Sequence, residues 1–109
     1  MGTYVLKKTP SGQFHWNLSA NNNEIILSSE TYVSKQGALS GIESCKLNSP
    51  HDGRYDRRRS VSNQYYFVLK AANGEVIGTS EMYQSEQGMT VGIASCKTNG
   101  PSSPTSDRT

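Results

Sequence analysis

The sequence predicts an α+β domain built from a tandem repeat: a unit of three strands and a helix, used twice, forming one antiparallel sheet about a pseudo-two-fold with both helices on one face. Three observations carry this. Shifted by 51 residues, positions 14–50 fall on 65–101 without a gap, and 18 of the 37 pairs are identical. Within each copy a two-residue apolar period gives way to a helical one. The chain has 109 residues, only 33% of them hydrophobic. A half of about 50 residues is marginal alone, so the copies are expected to share one core. This gives a single domain over 1–101, with repeats at 2–50 and 53–101. The Ser-, Thr- and Pro-rich residues 102–109 are expected to form a flexible tail or a short edge strand.

Residues 4–8, Tyr-Val-Leu-Lys-Lys, read as a first strand closed by the turn Thr9-Pro-Ser-Gly. Residues 13–20 alternate, with Phe14, Trp16, Leu18 and Ala20 on one face and His15, Asn17 and Ser19 on the other. Asn21-Asn-Asn turns the chain into a third strand at 24–29. There Ile25 and Leu27 are expected on one face and Ile26 on the other. From Ser34, a natural N-cap, Ala38, Ile42 and Cys45 follow helical spacing. Gly37 and Gly41 border that stripe although each costs roughly 1 kcal/mol in a helix. They are therefore expected where the helix backbone lies close against the sheet. Asn48-Ser-Pro ends the helix.

The second copy repeats this with strands at 55–59, 64–71 and 75–80, a two-residue hairpin turn at Asn73-Gly74, and a helix striped by Met89, Ile93 and Cys96. Asn99-Gly-Pro ends it.

The repeated pattern is aromatic-x-aromatic-x-Leu-x-Ala-x-Asn, then Ser-Glu-x-Tyr-x-Ser, then Gly-x-x-x-Gly-Ile-x-Ser-x-Lys-x-Asn. Over residues 2–101 it resembles the bacterial YegP-like family. The resemblance implies tandem units with strands exchanged between them, and pairing as dimers among relatives that carry one unit. It implies no activity, ligand or catalytic residue. The family carries an aliphatic residue where Cys45 and Cys96 stand here.

The net charge of +2 is too small to call for a polyanionic partner. No apolar run approaches the roughly 20 residues of a membrane span, and no charged-then-apolar leader is present. A soluble cytoplasmic protein without a membrane partner is expected. Cys45 and Cys96 sit mid-stripe without a Cys or His at ligand spacing, so they read as buried, reduced thiols, and neither metal nor cofactor is expected.

Candidate binding residues are the cations that cluster at the start of each unit, Lys7, Lys8, Arg54, Arg57, Arg58 and Arg59, with Lys7 and Lys8 equivalent to Arg58 and Arg59. Neighbouring arginines on a strand point to opposite faces, and a charged edge strand blocks unwanted pairing. His15 and Tyr66 are the aromatic side chains expected to be exposed. The open sheet face, with His15, Asn17, Ser19, Tyr66, Val68 and Lys70, is a candidate for a homodimer or another protein.

Three functions follow. A non-enzymatic binding or accessory module is preferred, because most of what recurs is what a fold needs. The alternative is a nucleic-acid binder, using the six cations as one patch. The second alternative is an enzyme built on Glu30 and Glu81 with Tyr32 and Tyr83, which requires those groups to converge in one cleft. No phosphate loop, nucleophile elbow or metal-protease helix occurs, so no catalytic residue is assigned.

Overall fold

The computed structural model describes residues 2–109. In each unit a three-stranded meander leads into one helix. Unit one has β1 (Thr3–Lys8), β2 (Phe14–Ser19), β3 (Ile25–Ser29) and α1 (Lys35–Asn48). A 3-10 turn (Asp52–Arg54) leads into unit two, with β4 (Tyr55–Arg59), β5 (Tyr65–Lys70), β6 (Val76–Thr79) and α2 (Glu86–Asn99), and β7 (Thr105–Asp107) follows. The sheet runs β4-β5-β6-β3-β2-β1-β7. All pairs are antiparallel except β1–β7, which is parallel.

The strands are not exchanged between units. Each meander stays contiguous, because short hairpins hold its three strands in sequence order, and the units meet where β3 pairs with β6. What crosses the junction is helix cover. α1 packs on β2 but also on β5 and β6, and α2 packs on β5 and on β3. The resulting core is shared, running from Tyr4, Leu6, Trp16 and Leu18 to Phe67, Leu69, Met89 and Ile93. Tyr4 meets Trp16 edge-on at 5.4 Å, and the equivalent Tyr55 meets Phe67 at 5.5 Å. Such pairs add about 0.5–1.5 kcal/mol beyond area burial.

All four hairpins share one turn. Thr9, Ala20, Ser60 and Ala71 each accept a hydrogen bond from the residue three on and donate to the carbonyl of the residue four on. The third loop residue takes positive φ: Gly12 at 82°, Asn23 at 66°, Asn63 at 63°, Gly74 at 87°. The β5–β6 turn therefore has three residues, not the two expected at Asn73-Gly74, and only its last position needs Gly or Asn.

A β-bulge between Leu18 and Ser19 corrects the reading of β3. The register passes from Leu18↔Leu27 to Ser19↔Ile25, so Ile26 is the extra residue and turns into the core beside Leu27. Ile25, paired with Ser19, is left on the open face. Unit two repeats this at Leu69/Lys70, burying Ile77 and exposing Val76.

Both helices start as their sequences imply, with Ser34 Oγ and Ser85 Oγ accepting the N–H of Gly37 and Gly88. The glycines do mark close approaches, but to a tyrosine rather than to strand backbone. A Cβ on Gly41 would stand 2.7 Å from Tyr32 Cζ, and one on Gly92 would stand 2.5 Å from Tyr83 Cζ.

Candidate functional site

The Ser-Glu-x-Tyr stretch that leaves β3 and β6 is held by its serine. Ser29 Oγ accepts the Trp16 N–H at 2.9 Å and donates to the Glu30 carbonyl at 2.7 Å. Ser80 does the same with Phe67 and Glu81, at 2.9 and 2.8 Å. Each hydroxyl replaces a missing ladder bond. The following tyrosines then pair by backbone, Tyr32 with Phe14 and Tyr83 with Tyr65.

Two clefts result, related by the pseudo-two-fold. In one, of about 430 Å³, Glu30, Tyr32, Gly37 and Gly41 of unit one face Asn73, Glu75 and Val76 of unit two. In the other, of about 170 Å³, Tyr83, Gly88 and Gly92 face Asn22, Glu24 and Ile25. Glu30 and Glu81 do not converge. Ser28 pairs with Thr79 across the junction, so the two carboxylates lie two residues beyond it in opposite directions, about 13 Å apart along the strands. Each tyrosine hydroxyl is pushed above its ordinary range, chiefly by burial. The phenols therefore stay protonated at neutral pH. Trp16 Nε1 is buried without a hydrogen-bond partner beside Gly41.

Nor are the six cations brought together. β1 and β4 lie five strand spacings apart, roughly 24 Å, so Lys7 and Lys8 cannot join Arg57, Arg58 and Arg59 in one patch. Pseudo-two-fold equivalence sends the first strands to opposite ends of the sheet. Arg54 bonds Asn48 at 2.9 Å, and Arg58 makes an ion pair with Asp56 at 2.8 Å. Lys8 lies over Phe14 and Arg59 over Tyr65. His15 and Tyr66 are half-buried on the open face, where His15 pairs with Lys7 and Tyr66 with Arg58. That face carries two shallow concavities. One, of about 380 Å³, is lined by Val5, Lys7, Asn17, Ser19, Asn23, Ile25 and Arg108. The other, of about 340 Å³, includes Asp56, Lys70 and Gly74.

The thiols of Cys45 and Cys96 are free and buried. Contact with Cys96 and burial push the Cys45 thiol up, while Cys96, nearest Cys45 and Tyr55, is drawn down. The hydroxyls of Tyr4 and Tyr55 cross the axis to donate to the Gly100 and Ser49 carbonyls, each at 2.6 Å. Among the described residues no group of three or more His, Cys, Asp or Glu is placed to hold a metal, and no helix is long and apolar enough to cross a membrane.

Fold and site together define a two-unit α+β protein in which Ser29 and Ser80, Ser34 and Ser85, and Asn48 and Asn99 make the same hydrogen bonds to backbone in both units. The family model described as "Domain of unknown function (DUF1508)" matches twice, at residues 10–56, from ahead of β2 into β4, and at 60–107, from ahead of β5 through β7, and the chain belongs to that family. It is 49% identical over 109 residues to UPF0339 protein YegP of Yersinia pestis, covering 100% of this chain and 97% of that one. To UPF0339 protein YegP of Escherichia coli K12 it is 44% identical, over 99% of this chain and 98% of that one. The resemblance read from the repeated motifs is thereby confirmed. The solution NMR structure of the E. coli protein, described as of unknown function, superposes with a TM-score of 0.93, covering 98% of this chain and 92% of that one. UPF0339 protein SO3888 of Shewanella oneidensis gives 0.92 at 44% identity, covering 97% and 90%.

Proposed function

We propose that this is a small, non-catalytic cytoplasmic binding module that meets another protein through its open sheet face. One contrast supports the reading. Many of the side chains repeated in both units are taken up in backbone bonds, close packing and capping, whereas the face that no helix covers presents Val5 and Ile25 among Lys7, His15, Tyr66 and Lys70. Apolar groups set among polar ones on an uncovered sheet suit a partner surface.

The test is amide chemical-shift mapping during dilution, beside sedimentation. Concentration-dependent shifts at His15, Asn17 and Tyr66 would identify the partner as a second copy. A monomer with invariant shifts directs the face to a different protein, sought by mapping the same amides. Glu30→Gln and Glu81→Gln are expected to leave that binding unchanged, and a loss on either change would return catalysis to consideration. Duplex DNA titrated at several salt concentrations is expected to show no binding. A steep salt dependence, near −0.9 per phosphate contacted, would contradict the proposal.

A further inference from the structure

The molecule already contains one added strand. β7 follows the second helix and lies parallel along the outer edge of β1, with Tyr4, Val5 and Leu6 opposite Thr105, Ser106 and Asp107. The Tyr4 N–H donates to the Pro104 carbonyl and the Arg108 N–H to the Leu6 carbonyl, both at 2.8 Å. Asp107 reaches Lys35, in the first turn of α1, at 2.5 Å.

The pseudo-two-fold carries β1 onto β4, Leu6 onto Arg57 and Lys35 onto Glu86. β4 is the margin of the sheet, and no strand among the described residues pairs beyond it. Its outward groups follow from the ladder. Tyr65 exchanges both backbone bonds with Tyr83, on the side away from β4, so Tyr66 and Val68 turn theirs toward β4. Their partners Arg58 and Asp56 are thereby used, while Arg57 and Arg59 direct theirs outward.

On the helix side of this margin lies a cleft of about 330 Å³, lined by the three arginines with Tyr65, Glu86 and Met89. Arg57 donates to Thr90 Oγ1 at 3.1 Å, and Arg59 lies 4.8 Å over the Tyr65 ring. Neither is in an ion pair among the described residues. A second copy of β4 would set Arg57, Arg58 and Arg59 against themselves, which charged edges prevent. The same charges favour an anionic strand.

We propose that the outer edge of β4 is a strand-addition site for an extended acidic segment of a partner protein, running parallel to β4 as β7 runs along β1. Carboxylates at alternate positions meet Arg57 and Arg59 while the segment's backbone completes the ladder. The proposal rests on reading the protein as a binding module, but uses a surface distinct from the open face.

The test uses the full chain and a fluorescein-labelled peptide patterned on the β7 segment, SPTSEVEG in one-letter code, with SPTSKVKG as control. Anisotropy should rise with the acidic peptide only. The Arg57 and Arg59 amides should shift and exchange more slowly when it binds. Arg57→Glu with Arg59→Glu should weaken binding about tenfold or more. Glu86→Lys, which restores the cation that α1 offers β7, should tighten it. Arg57→Pro removes an outward N–H without touching a bond to β5, and should abolish binding. Should that variant fail to fold, exchange of the Arg57 and Arg59 amides in the unaltered protein decides. No binding of the acidic peptide, or equal binding of the lysine peptide, overturns the proposal. Shifts confined to His15, Asn17 and Tyr66 would overturn it too, yet leave the binding-module reading standing. If oligodeoxythymidylate binds, is lost with Arg57→Glu and is indifferent to Arg57→Pro, the arginines serve phosphates and the proposal falls.

Discussion

Tyr4 and Tyr55 each seal the C-terminal end of the helix across the axis, a position where an unpaired carbonyl would be left without water. Burial pushes both phenols far above their ordinary range. Their unfolded value is about 10. A group whose pKa is raised by folding supports the native state fully below its unfolded value and loses that support as pH rises above it. Stability is therefore expected to be flat toward pH 10 and to fall beyond it. Trp16 fluorescence and the share of phenolate absorbance that Tyr4→Phe and Tyr55→Phe lack should change together in one alkaline transition, and Tyr4→Phe should lower the stability measured by urea denaturation at neutral pH by about 1–2 kcal/mol. Absorbance that is missing from Tyr4→Phe and Tyr55→Phe and that rises well before the fluorescence changes would contradict the buried bonds. Gly41 makes a second residue-scale case. Alanine there gains about 1 kcal/mol of helix propensity but collides with Tyr32, an overpacking cost of about 1–3 kcal/mol. Gly41→Ala should destabilise alone and become neutral or stabilising with Tyr32→Leu, measured by urea denaturation of all three variants. The sequence marked these positions but not their tenants. The equivalence of Tyr4 and Tyr55 and the glycines bordering the stripe were legible, whereas the partners, a carbonyl 96 residues away and a corner tyrosine, depend on packing.

The elements were legible to within a residue or two wherever their cause was local. Ser34 and Ser85 cap, apolar spacing sets the helical stripe, and strand alternation buries Trp16 and Leu18. Bulges were not legible, since an extra residue at Ile26 is defined only against Leu18 and Ser19 on the neighbouring strand. β7 was legible only as one of two alternatives, a flexible tail or a short edge strand, because its polar residues carry no strand period and are ordered by the β1 edge and by Lys35. Lys35, followed by bonds from Thr109, holds the Asp107 carboxyl well below its usual range. A depressed carboxyl stabilises the folded form above its unfolded value, about 3.9, and that contribution is lost as pH falls below it. The Arg108 amide resonance should therefore hold steady from neutral pH to below the ordinary carboxylate value of about 3.9, and drift toward its unpaired position only in more acid solution. Asp107→Asn should remove the pH dependence. An Arg108 amide that moves identically in both proteins would mean that the ion pair does not hold β7.

For the whole molecule, two near-copies cannot meet at an axis as identical surfaces if both carry bulk there. Two of the differences between units fall where they touch. Leu27 of β3 lies against Gly78, its own equivalent on β6, and Ser49 lies against Gly100. The repeat was plain in the sequence, but this matching of large to small was not, because the shift that aligns Leu27 with Gly78 says nothing of their contact. The resemblance suggested exchanged strands, whereas the units abut through β3 and β6. A shared core with complementary halves is expected to unfold once, so the urea transition followed by the single Trp16 in unit one should coincide with that followed by far-UV circular dichroism of both helices. The axis itself is tested by exchange of its two residues. A Cβ on Gly78 would stand 2.8 Å from the Ser28 carbonyl and 2.9 Å from Leu27 Cγ, so Gly78→Leu should cost about 1–3 kcal/mol by overpacking. Leu27→Gly should cost at least the roughly 2–5 kcal/mol of a core leucine truncation. Combined, the changes return one leucine and one glycine to the junction with their places reversed. The double variant should then be more stable than the sum of the single losses by about 1 kcal/mol or more, the signature of contacting sites. Strict additivity would show that the two positions do not share the space between the units, and would remove complementarity at the axis as the reason that these copies differ.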